Sequence, residues 1–350
     1  MSERIQWYRT RLDRQVLKNL TQRSDTRGLV QVLGVLGTWV ITGGLSLYFF
    51  LEQQWVLMVV TCYAHALVFG FLGMEASVHE LSHGTPFRTK WLNEFFYGLF
   101  AFLTWNDPVH FRASHMRHHQ NTVIEGLDKE VMLTPAPLGW KDYLSWLTFD
   151  YKKTRMILFP AIARFLGRDL PDVFAWNPLF EKGDPRRTRS FWWNRFLILG
   201  HAALIALFVY FQLWVLLWVV SFGYWFTGFF SRGCGMQQHI GLTPNIPDWR
   251  VSCHTMTMRA PVSFLYWNMN YHIEHHMYAA VPFFNLKKLH KALAHDTPTP
   301  VGGFFRGFAH VVGIQKRQRQ DPSYTYKPVF PDTAVPPDYS SAVTVAVTPR

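Results

Sequence analysis

Two long apolar stretches set the frame of this chain. Residues 28–87 contain no Lys or Arg, and between Leu29 and Met74 the one charged residue is Glu52. A helix rises about 1.5 Å per residue and needs about 20 residues to cross a bilayer, so this stretch is too long for one crossing. It predicts two helices, about 29–51 and 55–74, turning at Glu52, Gln53 and Gln54. The 36 residues from Phe196 to Ser231 lack Asp, Glu, Lys and Arg and lie between Arg195 and Arg232. They predict a second hairpin turning near Gln212, with spans of about 196–211 and 213–231.

The shorter patterns fill in around these hairpins. Residues 91–105 are apolar but too short for a normal crossing, with Asn93 and Glu94 near their start, and predict a re-entrant or interfacial helix. Residues 135–189 mix aromatics with Lys141, Lys152, Lys153, Arg155, Arg186, Arg187 and Arg189, the pattern of amphipathic helices against an anionic leaflet. Residues 1–28 are basic and polar with no apolar core of a signal peptide, so no cleavable signal is expected. The tail, 320–350, holds several prolines and is expected to be disordered.

Basic residues then orient the chain, because cytoplasmic flanks are enriched in Lys and Arg. Both hairpin tips lack them, whereas Arg4, Arg9, Arg11, Arg14, Lys18, Arg23 and Arg27 precede the first span. Both termini are therefore predicted to be cytoplasmic. The expected fold is an all-α, multi-pass integral membrane protein: four transmembrane helices in two hairpins, with a cytoplasmic helical cap, in one domain of residues 29–310 behind the basic N-terminal segment. The net charge of +12 finds its counterpart in anionic lipid, so no nucleic acid partner is expected. Cys62, Cys234 and Cys253 show no metal or disulfide spacing.

Against this background eight histidines stand out in three groups: His79 and His83; His115, His118 and His119; His272, His275 and His276. Residues four apart share a helix face, with Cβ atoms about 5–6 Å apart, so His79 and His83 can aim at one point. At about 100° per residue, His118 and His119 fall to either side of His115, and the third group repeats that pattern. Two hairpins return all three groups to one predicted side, the cytoplasmic one. A catalytic zinc takes about three protein ligands and a structural zinc about four, so eight imply more than one ion. Imidazole suits iron, copper, nickel and zinc, which leaves the metal open. His79-Glu80-Leu81-Ser82-His83 also spells the HExxH motif of zinc metalloproteases, with Glu80 as general base, but that reading leaves the other groups unexplained. A metal transporter or sensor is a third reading.

The three groups, in this order around two apolar hairpins, resemble the histidine boxes of the membrane fatty acid desaturase and hydroxylase superfamily. The likeness spans most of residues 29–295 and extends to Gly84-Thr85-Pro86-Phe87, Gln120-Asn121-Thr122, Asn270-Tyr271, Met277-Tyr278 and Val281-Pro282. It implies a non-haem diiron oxidoreductase in which the centre itself, with O2 and external electrons, desaturates a fatty-acyl or similar lipid chain. It also implies His239 as a further metal ligand. Where some acyl-CoA desaturases carry an asparagine four residues earlier, this chain has Gly235, so Gln237 or Gln238 would have to substitute. No fused haem or flavin module is expected, and the resemblance implies a separate donor of ferredoxin, rubredoxin or cytochrome b5 type. Hydroxylation, alkene-forming decarboxylation and dihydrorhizobitoxine desaturase-like activity use the same scaffold.

Carboxylates that orient ligand imidazoles are sought among Glu75, Glu80, Asp107, Asp128 and Glu274, with Glu274 favoured by its place inside the third box. Trp105, Asn106 and Trp267 are candidates for a substrate entrance, although Trp is common in membrane-interface belts. His65 and His201 lie inside predicted spans, where an ionisable residue is a functional candidate, with a neutral ring packed between helices at least as good a reading; neither is expected to be a ligand. His110, His254, His290, His295 and His310 lack box spacing and are not expected to be ligands.

Overall fold

The computed structural model describes residues 5–130, 138–170 and 178–343. Helices dominate: α1 Arg14–Leu20, α2 Asp25–Leu51, α3 Trp55–Phe69, α4 Ser77–Ser82, α5 Lys90–Leu103, α6 Pro108–Asn121, α7 Trp140–Leu147 and α8 Tyr151–Phe165. After them come α9 Pro185–Tyr210, α10 Phe229–Met236, α11 Trp249–Ser252, α12 Ala260–Leu265, α13 His272–Met277, α14 Phe283–Leu293 and α15 Phe304–Gln320. Among the described residues the sheet content is one parallel pairing of β1 (Met256–Thr257) with β2 (Val301–Gly302). The chain divides into two units. The first gathers Met1–Ser24, Ser114–Leu138 and Cys234–Arg350; the second holds Asp25–Ala113 and Gly139–Gly233.

The second unit carries the apolar helices. Asp25–Leu51, Trp55–Ser82 and Pro185–Tyr210 are each long and apolar enough to cross a membrane. Their outward positions are apolar: Val56 is 77% exposed, and Val30, Ile41 and Leu199 are also exposed, as suits helices solvated by lipid. The first hairpin turns where expected, with Gln53 at a φ of 55°. α9 begins at Pro185, well before residue 196. Asp184 accepts from the Arg186 N–H and Pro185 occupies the first turn, where its missing donor costs nothing.

The predicted 213–231 span differs from expectation. Instead of one helix, it contains a π-helical turn, Leu217–Phe222, a 3-10 turn, Gly223–Trp225, and an extended Phe226. Backbone carbonyls freed by such a break need other donors within a membrane. His65 Nε2 meets the Val219 carbonyl at 2.9 Å and Trp105 Nε1 donates to the Ser221 carbonyl at 2.7 Å. His201 rests at 3.9 Å between centroids on Trp105, with Nε2 on the Phe102 carbonyl at 3.0 Å and Nδ1 on Ser221 Oγ at 3.1 Å. The two intramembrane histidines thus pack between helices, and each finds partners at both ring nitrogens.

α5 is the short apolar helix expected near 91–105, and α7 and α8 fall in the basic connection, of which residues 135–137 and 171–177 lie outside the described residues. α7 and α8 leave Trp140, Leu144, Met156 and Phe159 exposed.

In the first unit, Arg250 is fully buried and acts as a hub. It pairs with Asp248 at 2.7 Å and Asp296 at 2.7 Å, donates to the Val335 carbonyl at 3.0 Å, and lies 3.8 Å from the Tyr8 ring centroid. Residues 321–343, part of the 320–350 tail expected to be disordered, lie around this hub. That segment has no helix or strand, but Tyr326 N–H donates to Gly241 O at 2.7 Å, Val335 N–H to Asp296 Oδ1 at 2.9 Å, and Val343 N–H to Asn245 O at 2.8 Å. Proline removes helix-forming donors without preventing an extended chain from docking. Residues 344–350 lie outside the described residues.

Candidate metal centre

α6 and α13 present the second and third histidine groups. Asp107 starts α6: its Oδ1 accepts the Val109 and His110 N–H groups at 3.0 Å, and its Oδ2 accepts from Ser190 Oγ and, at 2.7 Å, from Asn194. At the other end Thr122 Oγ1 donates to the His118 carbonyl at 2.9 Å. α13 lasts little longer than one turn, which is enough to project His272, His275 and His276, all buried.

Within the first unit these rings form two sets. His115, His119 and His275 offer ring nitrogens within 4.8 Å of one another, and so do His118, His239 and His276. His272 Nε2 joins the second set, 2.9 Å from His239 Nε2 and 3.0 Å from His276 Nε2. His115 Nε2 and His119 Nε2 are 3.1 Å apart.

Partners at Nδ1 explain why the Nε2 atoms point inward. His118 Nδ1 meets Asp128 Oδ2 at 2.8 Å, His115 Nδ1 meets Glu130 Oε1 at 2.8 Å, and His239 Nδ1 meets the Ser252 carbonyl at 2.9 Å. An acceptor at Nδ1 fixes the proton there and leaves Nε2 as a lone pair. Lone pairs brought within about 3 Å of one another repel unless a proton or cation lies between them. Burial pushes the His239 pKa down to about 3 and those of His272, His275 and His276 well below the usual histidine value, so these rings are neutral. At His118 burial also disfavours charge, but Asp128 outweighs it and raises the pKa, so that position favours a positive charge. Converging imidazoles, of which His239, His272, His275 and His276 are neutral, held by outer carboxylates and a carbonyl, fit a first-row transition metal.

His79 and His83 belong to the second unit. They lie on and just beyond α4, their ring centroids 5.6 Å apart, on the shared face that their spacing predicts. Gly84, at a φ of 65°, stops the helix there. Arg112 Nε donates to the Ser82 carbonyl and Asn93 to the Leu81 carbonyl, which fixes the turn. Glu80 is buried and accepts from Thr85 Oγ1 at 3.0 Å.

The other candidates separate clearly. Asp128 orients a ring directly. Glu274 instead accepts from Thr255 Oγ1 and His290 Nδ1, both at 2.6 Å, so it braces α13 against α14. Trp105 and Trp267 are core residues, Trp267 edge-on to Phe283 at 4.8 Å, and Asn106 bonds Thr104. His254 bonds the Ile240 carbonyl and His295 is exposed. Glu130 escaped the sequence reading because only the fold of the loop after α6 returns it to His115. The Ser252 carbonyl is invisible in any side-chain motif.

The fatty acid desaturase family matches residues 53–307, and this chain belongs to it. Among similar proteins, a sphingolipid delta(4)-desaturase DES1-like protein of Oryza sativa subsp. japonica is 26% identical, the match covering 68% of this chain and 65% of that protein. The chain thus spans just under two thirds of the rice relative. The sphingolipid delta(4)-desaturase of Schizosaccharomyces pombe is 24% identical over 73% of this chain and 68% of its own length. The sphingolipid delta(4)-desaturase DES1 of Rattus norvegicus is 25% identical over 72% of each.

Proposed function

We propose that this protein is a membrane-embedded, non-haem diiron desaturase acting on a fatty-acyl or sphingoid lipid chain. The observation that carries the reading is the pair of imidazole sets, in which the Nδ1 atoms of His115, His118 and His239 are anchored by a carboxylate or a carbonyl. His79, His83, His115, His118, His119, His239, His272, His275 and His276 are the proposed iron ligands. Irons held there would supply O2 activation and removal of hydrogen from an unactivated carbon. Overall, one O2, two electrons and two protons convert a –CH2–CH2– unit to –CH=CH– and release two waters.

The protein's own residues set positions. Asp128, Glu130 and the Ser252 carbonyl hold ring protons at Nδ1, and Glu274 holds α13 in place through Thr255 and His290. Burial excludes water, and alignment of one carbon pair decides which bond reacts. Electrons would come from a separate ferredoxin, rubredoxin or cytochrome b5 type protein. Supporting a four-crossing topology, the broken 213–231 leg remains apolar and its freed carbonyls are satisfied by side chains. Both termini and the histidines are proposed to face the cytoplasm.

The test incubates iron-loaded protein with reductant, O2 and a panel of acyl and sphingoid lipids, with products read by mass spectrometry. Loss of two hydrogens and about two irons per chain is expected. Gain of oxygen or loss of CO2 would move the protein to a hydroxylase or decarboxylase, and one tightly held zinc would remove the diiron reading.

A further inference from the structure

Beside the second imidazole set the first unit carries a stacked pair of tryptophans. Trp249 opens α11 and is 3% exposed. Its ring lies nearly parallel to that of Trp7, with 4.7 Å between centroids and 9° between planes. Trp7 is half-buried, and its Nε1 donates to the Gln120 carbonyl at 3.0 Å in a solvent-exposed contact. Trp249 Nε1 donates to Thr122 Oγ1 at 3.4 Å, and the same oxygen lies 3.1 Å from His276 Nδ1. The Thr122 hydroxyl proton goes to the His118 carbonyl, so His276 is the donor at Nδ1 and turns a lone pair at Nε2 toward His272.

The contacts run without a gap from a proposed iron ligand to the surface: imidazole, hydroxyl, indole, indole. Packing alone asks for neither half of this chain. A buried Trp needs an acceptor for its N–H and apolar neighbours for its ring. Here the acceptor is the oxygen that also holds a ligand imidazole, and the neighbour is a second indole in face-to-face overlap, brought in by the N-terminal segment.

Chemistry sets the direction of traffic along it. Indole is among the side chains that give up an electron most readily to a strong oxidant, and it does not accept one from donors of the ferredoxin or cytochrome type. A stacked pair of indoles therefore carries electrons inward only when the metal centre is strongly oxidising. That state arises when O2 has reacted and no lipid C–H bond is in reach. Left in place, the oxidising power falls on the ligand imidazoles themselves, a competing reaction that the protein has to prevent.

We propose that Trp249 and Trp7 form a relay that discharges the centre when O2 is activated without substrate, a role that rests on the diiron desaturase reading. Trp249 passes one electron inward by way of Thr122 and His276, and Trp7 refills Trp249. Trp7 then loses its Nε1 proton to water, and the neutral radical regains an electron and a proton from a dissolved reductant of ascorbate or thiol type. Two such passages, added to the two electrons that began the cycle and four protons from the medium, convert O2 to two waters.

The test mixes the iron(II)-loaded full chain with O2 in the absence of lipid and reads freeze-quenched samples by high-field electron paramagnetic resonance. A radical whose hyperfine lines narrow when the protein carries ring-deuterated tryptophan is expected. Trp249→Phe should lower its yield about tenfold and raise oxygen-atom addition to the peptide bearing His272, His275 and His276 several-fold, read by mass spectrometry. Trp192→Phe, on the exposed face of α9, should change neither. Trp7→Phe should leave the radical on buried Trp249, where dissolved ascorbate quenches it about tenfold more slowly. That variant alters only the outer ring, and it decides the matter should Trp249→Phe fail to fold. Iron oxidised by O2 with no tryptophan radical, an equal yield in Trp249→Phe, or unchanged quenching in Trp7→Phe would overturn the relay and leave the desaturase reading standing. Protein that binds no iron, or whose iron O2 does not oxidise, would remove the desaturase reading and the relay together.

Discussion

Asp128 shows how much the proposed metal site depends on residues outside its ligand set. Its carboxylate holds His118 Nδ1 at 2.8 Å and also accepts the Val123 N–H at 2.8 Å, so it fixes both the ring and the turn after α6. Asp128→Asn keeps the shape but loses the charge that favours a cation, and iron affinity should fall about 10–100-fold in competition with a chelator. Glu130 is partly exposed at 27%, so Glu130→Gln should cost less in the same assay. His65 makes a contrasting case. His65→Leu strands the Val219 carbonyl in a buried place, and stability should fall by about 1–3 kcal/mol in thermal unfolding, with iron content unchanged. The grouping of the box histidines was legible because spacing in sequence reports on local geometry, whereas Asp128 was one of five candidate carboxylates and Glu274 was favoured over it. The Glu130 contact was not legible, because a loop, rather than a helix period, returns it to His115.

Among the elements, the broken leg of the second hairpin carries the main departure from a periodicity reading. An uninterrupted apolar run gives no sign of a helix that widens and then tightens, since hydropathy does not report hydrogen-bond register. Gly223 makes the break possible: a Cβ there would lie 2.7 Å from the Trp218 carbonyl oxygen, a backbone atom that cannot swing aside. Gly223→Ala should therefore destabilise the protein by about 1–3 kcal/mol, seen as a lower melting temperature in detergent. α4 and α13 illustrate the opposite situation. Both are only six residues long, too short to persist alone, yet their histidine spacing was readable because one turn suffices to set it.

For the whole molecule, the sequence conveyed the apolar helices and the histidine groups but not the fate of the ends. The N-terminal segment read as basic and polar and the tail as disordered because neither has a period of its own. Their order comes from a partner remote in sequence, the buried Arg250, which neither segment encodes. Truncation after Gln320 removes the Val335 carbonyl from Arg250 and the backbone bonds of Tyr326 and Val343. The shortened protein should melt at a lower temperature and lose iron faster to a chelator, because the first unit, which holds His239 and the second and third boxes, would then open more readily. Equal melting curves would show that the tail contributes nothing to that unit.

Arg250 also imposes an order on biosynthesis. Tyr8 and Val335 lie far apart in the chain, yet both close on the same guanidinium. Both contacts can therefore be in place together only once Val335 has been synthesised, long after Tyr8.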